Sequence, residues 1–197
     1  PTFKEPEFSV GGIRALKAMT ALERLTLEFL ETVSPSDVAD LAELLTKGDH
    51  VPLKELKLID TALARGCLPS LVTSHMQHLT LSFGASADEN RADLISTLGQ
   101  TPKLQTLVVR GLLPASLGFP VLHHLTVLLL SQSFSVLERL CEDIASTFVQ
   151  LEILKIKGDV SEKTDSIRHL ASLHNLKRIE IEENDKVVAD GIAVLAA

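Results

Sequence analysis

The stretch Leu151-Glu152-Ile153-Leu154-Lys155-Ile156 decides the fold. Its first, fourth and sixth residues are apolar. In the last three, Leu-Lys-Ile, the alternation is that of a strand, whose neighbouring side chains point to opposite faces. The same spacing occurs at Leu22-Leu25-Leu27, Leu53-Leu56-Leu58, Met76-Leu79-Leu81, Leu104-Leu107-Val109, Leu122-Leu125-Val127 and Leu176-Ile179-Ile181. The segment starts fall 31, 23, 28, 18, 29 and 25 residues apart, a mean of about 26, against roughly 20–29 residues for one unit of a stacked-strand solenoid. The register also runs backwards: Met19, Phe119, Phe148 and Leu173 each stand three residues before a start.

Composition points the same way. The chain has 197 residues, 45% hydrophobic and 23% charged, which places it in the globular class with room for one core. It holds 36 leucines against seven phenylalanines and no Trp or Tyr. A core made from one kind of aliphatic side chain suits a repeating architecture. The formal charge of −7 repels phosphate backbones, so nucleic acid is not an expected partner. The most apolar run, Val121–Leu130, contains His123 and His124. It falls short of the ~18–20 residues of a membrane span, so no membrane partner is expected.

The connections read as helices or turns. Ser34-Pro35-Ser36-Asp37 has N-cap chemistry and leads into Val38, Leu41, Leu44 and Leu45 on one helical face, ending at Gly48. Ser86-x-x-Glu89 opens a second helix through Leu94, Ile95 and Leu98. Ser135-x-x-Glu138 opens a third, with Leu137, Leu140, Cys141 and Ile144 inward, and Ser161 a fourth, with Ile167, Leu170 and Leu173. The Gly- and Pro-bearing connections Thr61–Thr73 and Gly111–Gly118 predict turns or irregular helix.

On these motifs the chain, over residues 13–197, resembles the leucine-rich-repeat superfamily, in its intracellular, helix-containing branches. The resemblance implies an α/β solenoid of about seven repeats, with a curved parallel sheet on the concave side and helices and loops on the convex side. The superfamily's motif places Asn or Cys eight residues after each start; here those positions are Leu30, Thr61, Gly84, Leu112, Leu130, Asp159 and Asn184. Only Asn184 matches well, so the resemblance is to an irregular member. Residues 1–197 are read as a single domain. The chain opens at Pro1, and a predicted last helix, Val187–Ala197, has an apolar side without a polar cap. A piece of a longer solenoid or multidomain protein is therefore expected, with assembly through uncapped ends.

A solenoid offers its strand face to partners. The register puts His78, Thr80, Phe83, Thr106, Val108, Arg110, His124, Thr126, Leu128 and Lys155 on or beside that concave face. Apolar and basic residues mix at its middle, as in a protein interface. A slip of one residue in the irregular fifth unit would instead turn Leu128–Leu130 inward, because every side chain changes face. The resemblance implies a protein-binding domain, such as the substrate-recognition part of an F-box ubiquitin ligase. The alternatives it leaves are a ligand-sensing or autoinhibitory domain of an intracellular immune receptor, and a scaffold subunit.

Catalysis and cofactors are not expected. His78 and His124 would lie two strands apart, roughly 9–10 Å, too far to share a zinc ion held at ~2 Å. Cys141 falls in phase with buried helical positions, and Cys67 has no assignable base. Gly11-Gly12 lacks the rest of a phosphate loop. The acidic run Glu180, Glu182, Glu183 and Asp185 lacks calcium-loop spacing and reads as a solvated strand edge. With two cysteines and no Asn-x-Ser/Thr sequon, a reducing cytoplasmic or nuclear setting is expected rather than secretion.

Overall fold

The computed structural model describes residues 22–28, 39, 43, 53–59, 68–82, 94–111, 120, 122–131, 137–157, 164–183 and 186–190. Within them lie β1 (Arg24–Glu28), β2 (Glu55–Ile59), β3 (His78–Ser82), β4 (Thr106–Arg110), β5 (Val127–Ser131), β6 (Ile153–Lys157) and β7 (Arg178–Glu183). These seven strands pair in chain order, all parallel. Parallel neighbours need a crossover of about a dozen residues or more, and the spacing of the leucine segments supplies it. An eighth strand, β8 (Lys186–Asp190), is antiparallel to β7. Only two residues separate β7 from β8, too few for a crossover but enough for a hairpin.

That strand corrects the expected helix Val187–Ala197, of which residues 191–197 lie outside the described part. The β-branched pair Val187-Val188 favours an extended chain, and the short Asn-Asp link gives it β7 as a ready partner. The outer side of β7 is thus covered by β8, with a register shift at Ile181/Glu182.

Alternation within the strands builds the core. β2, β3 and β5 share one pattern, half-buried residues alternating with buried ones. Leu56 and Leu58, Leu79 and Leu81, Leu107 and Val109, Leu154 and Ile156, Ile179 and Ile181 all point to the covered side, at 2% exposure or less. Against them pack Leu140, Cys141 and Ile144 of α1 (Leu137–Thr147), Leu94 and Leu98 of the helical residues 94–99, and Leu68 and Leu71 of the 3₁₀ segment Leu68–Leu71. A second 3₁₀ segment, Thr164–Ser172, stands where a fourth helix is expected and buries Leu170. All belong to one continuous aliphatic cluster, each fully buried leucine contributing about 2 kcal/mol of transfer energy. Thr101 is the buried polar exception that shows its reason: its hydroxyl donates to the carbonyl of Leu98 at 3.1 Å, closing the end of the preceding helical turn.

The fifth strand does not follow the expected register. Leu128 and Leu130 are buried, at 0% and 1% exposure, while Val127 and Leu129 are half-buried on the other face. Val127 pairs with Thr106 and Leu128 with Leu107. The segment therefore starts at Leu125, three residues later than Leu122, and reads Leu125-x-x-Leu128-x-Leu130. An odd offset exchanges the faces. It also evens the spacing of starts to 31, 23, 28, 21, 26 and 25.

Two backbone patterns pin this register. A tight turn precedes the strands, in which the N–H of the first apolar residue donates to the carbonyl three residues earlier: Met76 to Thr73, Leu104 to Thr101, Leu125 to Leu122, Leu151 to Phe148 and Leu176 to Leu173, at 3.0–3.1 Å. Leu122 is thus the turn residue matching Phe148 and Leu173. Next, the carbonyl following each first apolar residue accepts two consecutive N–H groups from the neighbouring unit. Glu23, Lys54, Gln77, Gln105, Thr126 and Glu152 form this ladder at 2.8–3.1 Å. No helix among the described residues is long and apolar enough to cross a membrane.

Candidate functional site

The side of the sheet away from the core presents three rows, one for each outward position of a strand. In register they read Arg24, Glu55, His78, Thr106, Val127, Ile153, Arg178; then Thr26, Lys57, Thr80, Val108, Leu129, Lys155, Glu180; then, from β2 onward, Ile59, Ser82, Arg110, Ser131, Lys157, Glu182. In a parallel sheet, in-register residues are lateral neighbours about 4.8 Å apart, so each row is a line of contacts.

Both flanks of this face are ionic. Arg24 meets Glu55 across β1 and β2 at 3.5 Å, and Lys57 meets the same carboxylate along β2 at 2.7 Å. On the other flank Lys155 donates to Glu180 at 2.5 Å, Arg178 pairs with Glu180, and Lys157 lies 3.8 Å from Glu182. The Lys155 ammonium holds the Glu180 carboxyl below its ordinary value, and the Lys57 ammonium does the same for Glu55. Glu180 is 7% exposed, so this part of the acidic run is a covered, paired carboxylate and not the expected solvated edge.

Between the flanks the face turns aliphatic. Val108 and Leu129 are neighbours in the middle row; Val127 and Ile153 are neighbours in the row beside it. All four are half-buried. At the C-terminal ends of β4–β7 the face holds a depression of about 480 Å³. Val108 and Leu129 line it, Arg110 and Ser131 stand on one side, and the Lys155–Glu180 and Lys157–Glu182 pairs on the other. Just beyond Arg110 the chain turns away at Gly111, with φ of 103°, while its N–H still donates to the Ser131 carbonyl at 2.9 Å. Only glycine adopts such a conformation without strain.

Of the residues expected on the face, His78, Thr80, Thr106, Val108, Arg110 and Lys155 stand on it. Phe83 lies outside the described residues. Three are corrected by the fifth-strand register. Leu128 is in the core. His124 is exposed in the turn before β5. Thr126 belongs to the carbonyl ladder, and its hydroxyl donates to the Gln105 carbonyl at 3.3 Å. Their places are taken by Val127, Leu129 and Ser131. The overlooked signal was the overlapping pattern Leu125-x-x-Leu128-x-Leu130, which meets the same spacing rule as Leu122-Leu125-Val127.

The histidines stand apart: His75 and His123 are exposed in turns, and among the described residues no three His, Cys, Asp or Glu side chains converge as metal ligands would. Cys141 is fully buried, and burial, reinforced by the Glu142 charge, pushes its thiol up to about 12. Such a thiol stays protonated and unreactive at neutral pH. Cys67, Gly11-Gly12 and all the Asn-ladder positions except the corrected Leu130 lie outside the described residues.

Compared with known proteins, the chain matches no family model and no curated protein.

Proposed function

We propose that the chain is a protein-binding solenoid of the leucine-rich-repeat kind, with about seven repeats, and that it holds its partner on the outward face of β3–β6. The observation that carries this reading is the contiguous aliphatic group Val108, Val127, Leu129 and Ile153, set among rows that, apart from Ile59 on β2, are filled by polar and ion-paired residues. A strand face that only met water would gain nothing from four contiguous aliphatic side chains. A partner that covers them gains about 25 cal/mol for each Å² of apolar surface removed from water. The ionic flanks then act as the polar rim that surrounds an interface core. The turn, which recurs within successive units, and the carbonyl ladder, which ties each unit to the next in the same way, support the repeat assignment.

The test is a double substitution, Val108→Glu with Leu129→Glu, at two outward positions. Circular dichroism checks that the variant folds. Proteins captured by the wild-type chain from cell extract are expected to be lost by the variant. Capture that is unchanged by a folded variant would remove this face as the binding surface.

A further inference from the structure

Among the described residues the outward face carries six Lys and Arg side chains, Arg24, Lys57, Arg110, Lys155, Lys157 and Arg178, and five of them lie within 4 Å of a glutamate. Arg110 is the exception: it is exposed and makes no ion pair among the described residues. Its lateral neighbours in the row are Ser82 and Ser131, neither of them an acid. It stands on the lip of the depression that Val108 and Leu129 line.

From this we infer that the bound partner supplies the missing acid: an extended segment lays aliphatic side chains on Val108 and Leu129 and sets an Asp or Glu carboxylate against Arg110. The inference rests on the protein-binding reading of this face and adds the chemistry of what is bound. Charge complementarity favours it. A guanidinium presents paired donors that match a carboxylate bidentately, and the Ser131 hydroxyl is a further donor one strand away. The opposite side of the depression holds Glu180 and Glu182. Their charges oppose a dianion such as phosphate more strongly than a single carboxylate. The same two residues keep Lys155 and Lys157 occupied, which leaves Arg110 as the cation that selects. Positioning is fixed from beneath, because Arg110 ends β4 and the Gly111 turn follows at once.

Random peptides displayed with blocked C-termini would be selected on the full chain. The enriched sequence would then be made as an amidated peptide, with its acid either kept or replaced by Asn or Gln. The expected result is an acidic position next to an aliphatic one. Neutralising that acid weakens binding about tenfold to the wild-type chain and leaves binding to a folded Arg110→Gln chain unchanged. Added salt weakens the acidic peptide on wild type more than on Arg110→Gln. Peptides that are lost on Leu129→Glu yet show no acidic preference would overturn the carboxylate inference and leave the protein-binding reading standing. Peptides indifferent to both Leu129→Glu and Arg110→Gln, or no enrichment at all, would overturn both.

Discussion

Leu128→Ala and Leu129→Ala remove the same atoms from adjacent positions of β5, and the register of that strand makes their consequences unequal. Leu128 is 0% exposed and sits between Leu107 and Leu154 in the sheet. Truncation deletes roughly three carbon groups at about 0.8 kcal/mol each and leaves a cavity that adds to the loss, for a total of about 3–4 kcal/mol. That is a large part of the ~5–15 kcal/mol by which a domain is stable. It corresponds to a melting temperature lower by about 6–16 °C for a chain of this size. Leu129 is half-buried on the outward face, so its truncation opens no enclosed cavity and costs about 1 kcal/mol or less. Urea unfolding followed by far-UV circular dichroism measures both. A segment starting at Leu122 would reverse the order, with Leu129 inside. Equal losses, or a larger loss at Leu129, would refute the register argued from the turn at Leu122 and the ladder at Thr126.

Other outcomes follow from single residues. Gly111→Ala forces a side chain onto a backbone with φ of 103° and is expected to cost about 1–2 kcal/mol, read from the same unfolding curve; an unchanged midpoint would mean that the turn is not built as described. In a Cys67→Ser background, a thiol reagent should leave Cys141 unmodified in native buffer and modify it in denaturant, since its thiol is buried and pushed up to about 12; rapid native labelling would contradict its place in the core. Glu55 and Glu180 have folded-state values below the ordinary 4.5. Their stabilisation is therefore complete above that value and lost as pH falls below it. Melting temperature should drop on that acid side, and Glu180→Gln should flatten the drop; an identical acid limb in the variant would remove Glu180 from the account.

Much of the fold could be read from local pattern because alternation is a local rule. Leu56, Leu79, Leu107, Leu154 and Ile179 occupy the core in the register that the spacing predicts. Cys141 and Ile144 are inward on α1 as their helical phase requires. The fifth strand escaped because Val121–Leu130 is apolar at seven of its ten positions, so two registers three residues apart satisfy one rule. What separates them is not local: the Gln105 carbonyl must find the N–H groups of Thr126 and Val127 on the next strand. The same limit governed β8, whose helix-like spacing yielded to a two-residue link and the open side of β7. On the outward face, the positions of Val108 and Arg110 could be read from the sequence because β4 is regular. Leu129 could not, because it depends on that non-local choice. That Arg110 has no ion pair among the described residues also lay beyond pattern, since the pairing depends on which lysine reaches which glutamate across strands.

The central proposal, that the outward face of β3–β6 is the recognition surface, is tested most directly by methyl-labelled NMR of the full chain titrated with a peptide selected on it. The methyl signals of Val108, Val127, Leu129 and Ile153 are predicted to shift first and furthest, with those of Leu128 and Leu154 moving little behind them. Shifts centred instead on α1, or backbone changes confined to β8 as a peptide adds a strand at that edge, would contradict it.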